Sequence, residues 1–155
     1  MEHDDLRCKT FNIKLWEHCD ATEVKCRFSS YRHNGTIALE LLCKPEVPIM
    51  NDFFQSEEDF CMPYGVATVN LDTSGILPLN VQFIDENNMP GLGTWLQKNN
   101  IASPTDIYMR SGYVIYQAYA FNAPRESIDE VKARRMELGT LPEERHYQSH
   151  GLKRK

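Results

Sequence analysis

The feature that most constrains the fold is Asn34-Gly35, which lies between two alternating segments within residues 23–44. Asn-Gly in this setting is the strongest short-range signal for a β-hairpin closed by a two-residue type I′ turn. Counting outward from that turn sets Cys26 opposite Cys43. This register gathers the apolar side chains of both strands on one face, which a one-residue slip would expose; they are Val24, Cys26, Phe28, Ile37, Leu39, Leu41 and Cys43.

Length and composition predict one globular domain. The chain has 155 residues, of which 41% are apolar and 25% are charged, as in ordinary globular proteins. It contains no apolar run of the ~20 residues that a membrane span needs, and its start, MEHDDLRCKT, lacks the features of a signal peptide. We therefore expect a cytoplasmic protein with reduced thiols and no membrane contact.

The remaining periodic segments predict an α+β fold. Beside the hairpin, alternation and β-branched content indicate strands at 10–15, 65–71, 81–84 and 113–121, with a short amphipathic helix at 91–98. A capping box, Ser127 followed by Glu130, indicates a C-terminal helix, and residues 101–112 are expected to be mostly loop. The expected architecture is an antiparallel sheet of about five strands with both helices packed on it. Residues 1–141 form this domain, and the polar tail 142–155 is expected to be disordered.

Charge is distributed unevenly along the chain. Between Lys44 and Lys98 there are eight acidic residues and no Lys, Arg or His. A surface of one sign attracts a basic partner and repels nucleic acid, although the same pattern also suits a solvated face kept for solubility. The proline-rich loop 45–60, which we call the acidic segment, is the first candidate for a partner surface; its steering acids and aromatic anchors are Asp52, Phe53, Phe54, Glu57, Glu58 and Asp59. Alternatively, its phenylalanines fold back onto the core.

Four of the five cysteines are candidate ligands of a structural zinc ion. The predicted strand directions bring Cys19, Cys26, Cys43 and Cys61 to one end of the sheet, where four thiolates suit tetrahedral zinc. No paired spacing such as C-x-x-C supports the site, and His18 is an alternative ligand. Two other interpretations stay open: free, half-buried thiols, or a disulfide between Cys26 and Cys43, against which the reducing compartment argues.

No set of residues meets the requirements of a catalytic site. Asp85 and Glu86 form a carboxylate pair, but their Asn-rich setting favours turn and cap chemistry. Tyr113, Tyr116 and Tyr119 have the spacing of a base-stacking platform, but basic residues are not interleaved with them, so core packing is favoured. We therefore predict a protein that is not an enzyme.

Four segments resemble a family of small proteins of unknown function carried by bacterial conjugative elements and phages. They are NGTIALEL (34–41), PYGVATVNL (63–71), FIDENNMPGLGTWLQKNN (83–100) and SGYVIYQAYAF (111–121). The resemblance implies an α+β fold in a bacterial mobile-element setting and implies no reaction. A longer acidic loop, an added C-terminal helix and more cysteines distinguish this chain from the family pattern.

Small mobile-element proteins of this kind include anti-CRISPR proteins, which leads to the functional expectation. The chain is expected to inhibit a type II CRISPR effector nuclease by covering its basic, nucleic-acid-binding surface, with no nucleic acid contact of its own. The alternative is a zinc-stabilised interaction module of a conjugative element that binds another protein.

Overall fold

The computed structural model describes residues 6–16, 19–45, 60–71 and 77–139, so the tail 142–155 lies outside the described residues. Within these ranges the chain forms eight strands, two α-helices and a short 3-10 helix at Leu6–Cys8. The strands are β1 Phe11–Ile13, β2 Thr22–Ser30, β3 Ile37–Cys43, β4 Met62–Val66, β5 Thr68–Val69, β6 Val81–Ile84, β7 Ala102–Ser111 and β8 Val114–Phe121, and the helices are α1 Leu92–Lys98 and α2 Arg125–Leu138.

The strands form two antiparallel sheets of four, ordered β1-β2-β3-β4 and β5-β6-β8-β7. The α+β class with a short central helix and a C-terminal helix is confirmed, whereas the expected single sheet of about five strands is replaced by two sheets. The predicted strand 65–71 divides at Ala67. The Ala67 amide donates to Leu39 O of the first sheet, and its carbonyl accepts from Asp85 N beside the second. The chain therefore passes from one sheet to the other at this residue.

The main core lies between the two sheets. The apolar face predicted for β2 and β3 is confirmed, because it is buried against residues of the second sheet and of both helices. Phe28 of the first sheet meets Phe121 of the second edge to face, with ring centroids 6.2 Å apart. No helix in the described part of the chain is long and apolar enough to span a membrane.

The register of the β2–β3 hairpin differs from the prediction by two residues. Cys26 lies opposite Leu41 and not Cys43, which pairs with Val24. The loop is longer than a type I′ turn: Tyr31 N donates to Thr36 O and Gly35 N donates to Tyr31 O. A shift of two residues keeps every side chain on its face, so the predicted core set survives the wrong register.

The Asn34 side chain explains the longer loop. Its Oδ1 accepts from Thr36 N and Thr36 Oγ1 at 3.2 and 2.9 Å, and its Nδ2 donates to Asn70 Oδ1 at 2.9 Å. Of the two turn residues only Gly35 has a positive φ, 74°, whereas a type I′ turn needs positive φ at both. Asn34 is therefore buried in a polar network that joins the sheets.

The segment 101–112, expected to be mostly loop, contains the ten-residue strand β7. Its pairing with β8 is irregular between Pro104 and Tyr108. There Thr105 Oγ1 donates to Ala118 O at 2.8 Å and accepts from Ile107 N at 3.1 Å. This bulge, together with a proline and an aspartate, breaks the alternation by which a strand is read from sequence.

The C-terminal helix α2 is confirmed, but its predicted capping box is wrong. Pro124 occupies the N-cap position with no side-chain cap, and Ser127 is buried inside the helix. Proline suits this end of the helix because it has no N–H that the first turn would leave unpaired. The helix lies across the turn end of β2 and β3, where Arg134 Nε donates to Ser30 Oγ at 3.3 Å.

Candidate interaction surface

The predicted zinc ligands are only partly gathered. Cys19 precedes β2, Cys43 ends β3 and Cys61 precedes β4, so these three lie toward the same end of the first sheet. Cys26 lies further along β2, on the core face. Three of the four thiols therefore lie toward one end of the sheet, as predicted. Cys26 does not, because its predicted place opposite Cys43 depended on a register that is wrong by two residues.

Cys26 is a buried thiol. Burial raises its pKa to about 12, and a zinc ion would have to displace its proton in order to bind it. Among the described residues no three or more His, Cys, Asp or Glu side chains form a group that could hold a metal; His18 lies outside them. Zinc binding stays a prediction.

A disulfide between Cys26 and Cys43 is not formed. None of the five cysteines forms a disulfide, and Cys26 and Cys43 are diagonal rather than directly opposed across β2 and β3. Diagonal positions are roughly 7–8 Å apart, which exceeds the Cα separation of an unstrained disulfide.

The acidic partner surface predicted at Asp52, Phe53, Phe54, Glu57, Glu58 and Asp59 lies outside the described residues. Phe60, which follows it, is described. Its ring lies 5.1 Å from Lys25 Nζ and 5.2 Å from Lys44 Nζ, in cation–π contact with both. Phe60 belongs to neither apolar cluster of the described residues. The end of the acidic segment is therefore held on a basic pair rather than in the core.

The carboxylate pair serves local structure, as predicted. Glu86 accepts from the amides of Gly91 and Gly93 at 3.1 and 2.6 Å, and so caps the start of α1. Asp85 accepts from Asn88 N and Nδ2 at 3.1 and 3.0 Å. These bonds occupy both carboxylates in the folded state.

The three tyrosines predicted to pack in the core differ in exposure. Tyr119 is buried, and Tyr116 is half-buried against a small apolar cluster on the other face of the second sheet. Tyr113 is fully exposed, at 101% relative accessibility. It is the second residue of a two-residue turn that Gly112 opens with φ 66°, the arrangement of a type II′ hairpin.

This turn belongs to a hairpin that extends beyond its sheet. Strand β6 pairs with β8 only over residues 118–120, whereas β7 and β8 continue to pair from Tyr108–Gln117 out to Ser111–Val114. We call residues 106–117 the hairpin tip. Three large side chains on it are exposed: Tyr108, Tyr113 and Ile115.

The two faces of the hairpin tip differ. Ile107, Met109 and Tyr116 pack, half-buried, against the cluster of Leu77, Val81, Phe83, Ala118 and Ala120. The opposite face presents Tyr108 and Ile115, and the only charged residues of the tip are Asp106 and Arg110. Exposed tyrosine, arginine and aliphatic groups with little net charge are typical of protein-binding surfaces.

The hairpin tip was missed in the sequence because an aromatic, β-branched segment indicates a buried strand. The available signal was Gly112, which permits a two-residue turn directly before Tyr113. That turn predicts a hairpin, and a hairpin requires a strand in 101–112.

Comparison with known families gives a match over most of the chain. A family described as a domain of unknown function, DUF4313, matches residues 26–139. The chain belongs to this family. No curated protein and no solved structure matches the chain significantly.

The DUF4313 region runs from within β2 to the end of α2 and includes the whole hairpin tip and the acidic segment. The C-terminal helix, expected as an addition to the family pattern, is therefore part of the family domain. Cys19 lies outside it, whereas the other three predicted ligands lie inside. The predicted resemblance to a family of unknown function is thereby confirmed at that level. A mobile-element setting and an anti-CRISPR role stay predictions for this DUF4313 protein.

Proposed function

We propose that this protein acts by binding another protein, without catalysis of its own, and that the turn of the hairpin tip is a principal contact. The observation that carries the proposal is the complete exposure of Tyr113 at the end of a hairpin that extends past its own sheet. An aromatic ring that is fully exposed to water buries no apolar surface, so it adds nothing to the stability of the fold.

Several properties support a binding role for this turn. Tyrosine has few rotatable bonds, so ordering it against a partner costs less entropy than ordering a long flexible side chain. Ile115 is also exposed and lies directly opposite Arg110 across the strands. Tyrosine and arginine are the residues in which binding energy is most often concentrated.

The negative charge between Lys44 and Lys98, most of it in the acidic segment, supports a basic target. Eight acidic residues without a base between Lys44 and Lys98 would attract a positively charged surface and accelerate association. We propose a type II CRISPR effector nuclease as the target class, because its nucleic-acid-binding surface is basic. The acidic segment would steer the encounter and block DNA, and the hairpin turn would add contact area.

The experiment measures DNA binding and cleavage by a panel of purified type II effector nucleases with and without this protein. Inhibition is expected for at least one nuclease and is expected to be lost when Asp52, Glu57, Glu58 and Asp59 are all changed to Lys. Absence of inhibition across the panel would reject the target class. Inhibition that survives the four reversals would reject the acidic contact.

The hairpin contact is tested separately with Tyr113→Ala. We expect this change to weaken binding by about 1–3 kcal/mol, as truncation of an interface tyrosine typically does. Met136→Ala is the matched control, because Met136 is also exposed but lies on α2. Equal affinities for Tyr113→Ala and the control would remove the turn from the interface.

A further inference from the structure

The outer edge of β7 is the feature from which we infer a further interaction. β7 is the terminal strand of the second sheet among the described residues, and it is ten residues long. A long edge strand presents unpaired N–H and C=O groups and is a ready template for another strand. By contrast, the β1 edge of the first sheet is only three residues long, and Trp95 Nε1 donates to its Asn12 O at 2.7 Å.

The backbone directions on β7 follow from the turn. In a two-residue hairpin the flanking residues, Ser111 and Val114, form a hydrogen-bonded pair. Alternation then places Tyr108 and Arg110 in the non-hydrogen-bonded pairs with β8. Their N–H and C=O groups therefore point to the open edge.

We propose that this edge pairs with the same edge of a second copy of the chain, antiparallel and centred on Tyr108. Pairing with β8 is irregular between Pro104 and Tyr108, but the exposed Asp106, Tyr108 and Arg110 still alternate with the half-buried Ile107 and Met109. A two-fold axis at Tyr108 sets Tyr108 against the partner's Tyr108 and sets Asp106 against the partner's Arg110. The axis repeats that ion pair, so two pairs of opposite charge flank one aromatic pair. Opposite charges and aromatic rings that face each other directly across strands are the pairs that stabilise sheets.

The other face of the strand fits the same register. Ile107 and Met109 are half-buried in the apolar cluster of the second sheet, and the axis at Tyr108 sets Ile107 against the partner's Met109. The apolar clusters of the two copies would then be continuous, and the two four-stranded sheets would form one sheet of eight. The interface is isologous, as in most homodimers.

Alternative registers are disfavoured by charge and by hydrogen bonding. An axis at Asp106 or at Arg110 sets each of these charges against its own copy. An axis at Ile107 or Met109 presents a residue whose backbone groups point toward β8 rather than outward. Within residues 106–110, the register centred on Tyr108 is the one that satisfies both requirements. It leaves Gly112 and Tyr113 outside the paired segment.

The test uses charge reversal in the full chain, with dimerisation followed by sedimentation velocity over a range of concentrations. The unchanged protein is expected to show a reversible monomer–dimer equilibrium. Asp106→Arg and Arg110→Asp each replace two attractive pairs with two repulsive ones, so each should raise the dissociation constant by about 10- to 100-fold. The double variant restores the pairs in swapped order and should recover dimerisation to within about threefold.

Lys132→Asp, an exposed reversal on α2, is the matched control and should leave the dimer unchanged. Tyr108→Pro removes an N–H that only the dimer uses, and it should give a folded monomer. A chain that stays monomeric, a dimer that both single reversals leave intact, or a double variant as weak as the singles would overturn the proposal. Because the measurement needs no target, its outcome is separate from that of the proposed inhibition.

Discussion

Gly35 and Arg135 lie in direct contact, although one closes the β2–β3 hairpin and the other lies on the last turn of α2. A Cβ built at Gly35 would lie 2.6 Å from Arg135 Cγ and 3.2 Å from Arg134 Cγ. Arg135 is fully buried here, so its aliphatic part covers the turn that the sequence marks most strongly. The C-terminal helix thus packs on the hairpin, and this contact explains why the turn residue has no side chain.

Gly35→Ala is expected to destabilise the fold by about 2–3 kcal/mol, because it adds a steric clash to an unfavourable positive φ. Gly139→Ala is the matched control: its φ is also positive, at 75°, but its Cβ would meet nothing within 4 Å. The control should lose only about 1 kcal/mol. Urea unfolding of both variants gives the comparison, and equal losses would show that the contact with Arg135 is unimportant.

The buried Gln82 joins the two sheets, and its interaction with Thr36 is expected to be cooperative. Gln82 Nε2 donates to Thr36 Oγ1 at 2.7 Å and to Ile37 O at 2.9 Å. Gln82→Met leaves buried acceptors unpaired and should cost about 2–3 kcal/mol.

A double-mutant cycle with Thr36→Val isolates the side-chain pair from the rest of the network. We expect a coupling free energy of about 1 kcal/mol, measured by urea unfolding of the two single variants and the double. Strict additivity would indicate that Gln82 acts only through Ile37 O.

The Cys26 thiol should resist modification and should make stability depend on alkaline pH. Its folded pKa of about 12 lies above the ordinary value of 9.0 because of burial. The folded state therefore holds the proton more tightly, so this contribution is complete below about pH 9 and is lost as the pH rises toward 12.

Two measurements check the behaviour of Cys26. At about pH 8, alkylation followed by mass spectrometry should label the exposed Cys8 and Cys61 at least about tenfold faster than Cys26. Between about pH 9 and 11, unfolding free energy should fall less steeply in Cys26→Ala than in the unchanged protein. Identical slopes would mean that Cys26 is accessible to water in the folded state.

The zinc prediction is tested by metal removal. If the predicted ligands hold zinc, elemental analysis is expected to find about one equivalent, and chelation with EDTA is expected to unfold the protein. Less than about 0.1 equivalent, together with a melting temperature that EDTA leaves unchanged, would reject the site. If zinc is found, Cys26→Ala and Cys61→Ala would identify which thiols take part.

The sequence predicts which face of a strand is buried more reliably than which residues lie opposite each other across two strands. The core face of β2 and β3 follows from alternation alone, which an error of two residues does not change. The register depends on how Asn34 uses its side chain, and its partner Asn70 is 36 positions away. No local pattern contains that contact, so the type I′ turn was a reasonable and incorrect prediction.

The hairpin tip could not be predicted from the sequence for a related reason. Thr105 replaces backbone pairing with side-chain bonds inside β7, so the strand loses its period. Tyr113 and Tyr119 have the same chemistry, but Tyr113 lies in a turn beyond the reach of β6, whereas Tyr119 lies where β6 pairs with β8 and belongs to the main core. The reach of β6 is a property of the assembled sheet.

Ala67 has a mechanical consequence. The acidic segment runs into β4, and one residue with hydrogen bonds to Leu39 O and Asp85 N separates β4 from β5. Because Ala67 is hydrogen-bonded to both sheets, a displacement of β4 is expected to move β5 and the second sheet with it. A partner that displaces β4 would then also act on the sheet whose β7–β8 hairpin ends at Tyr113.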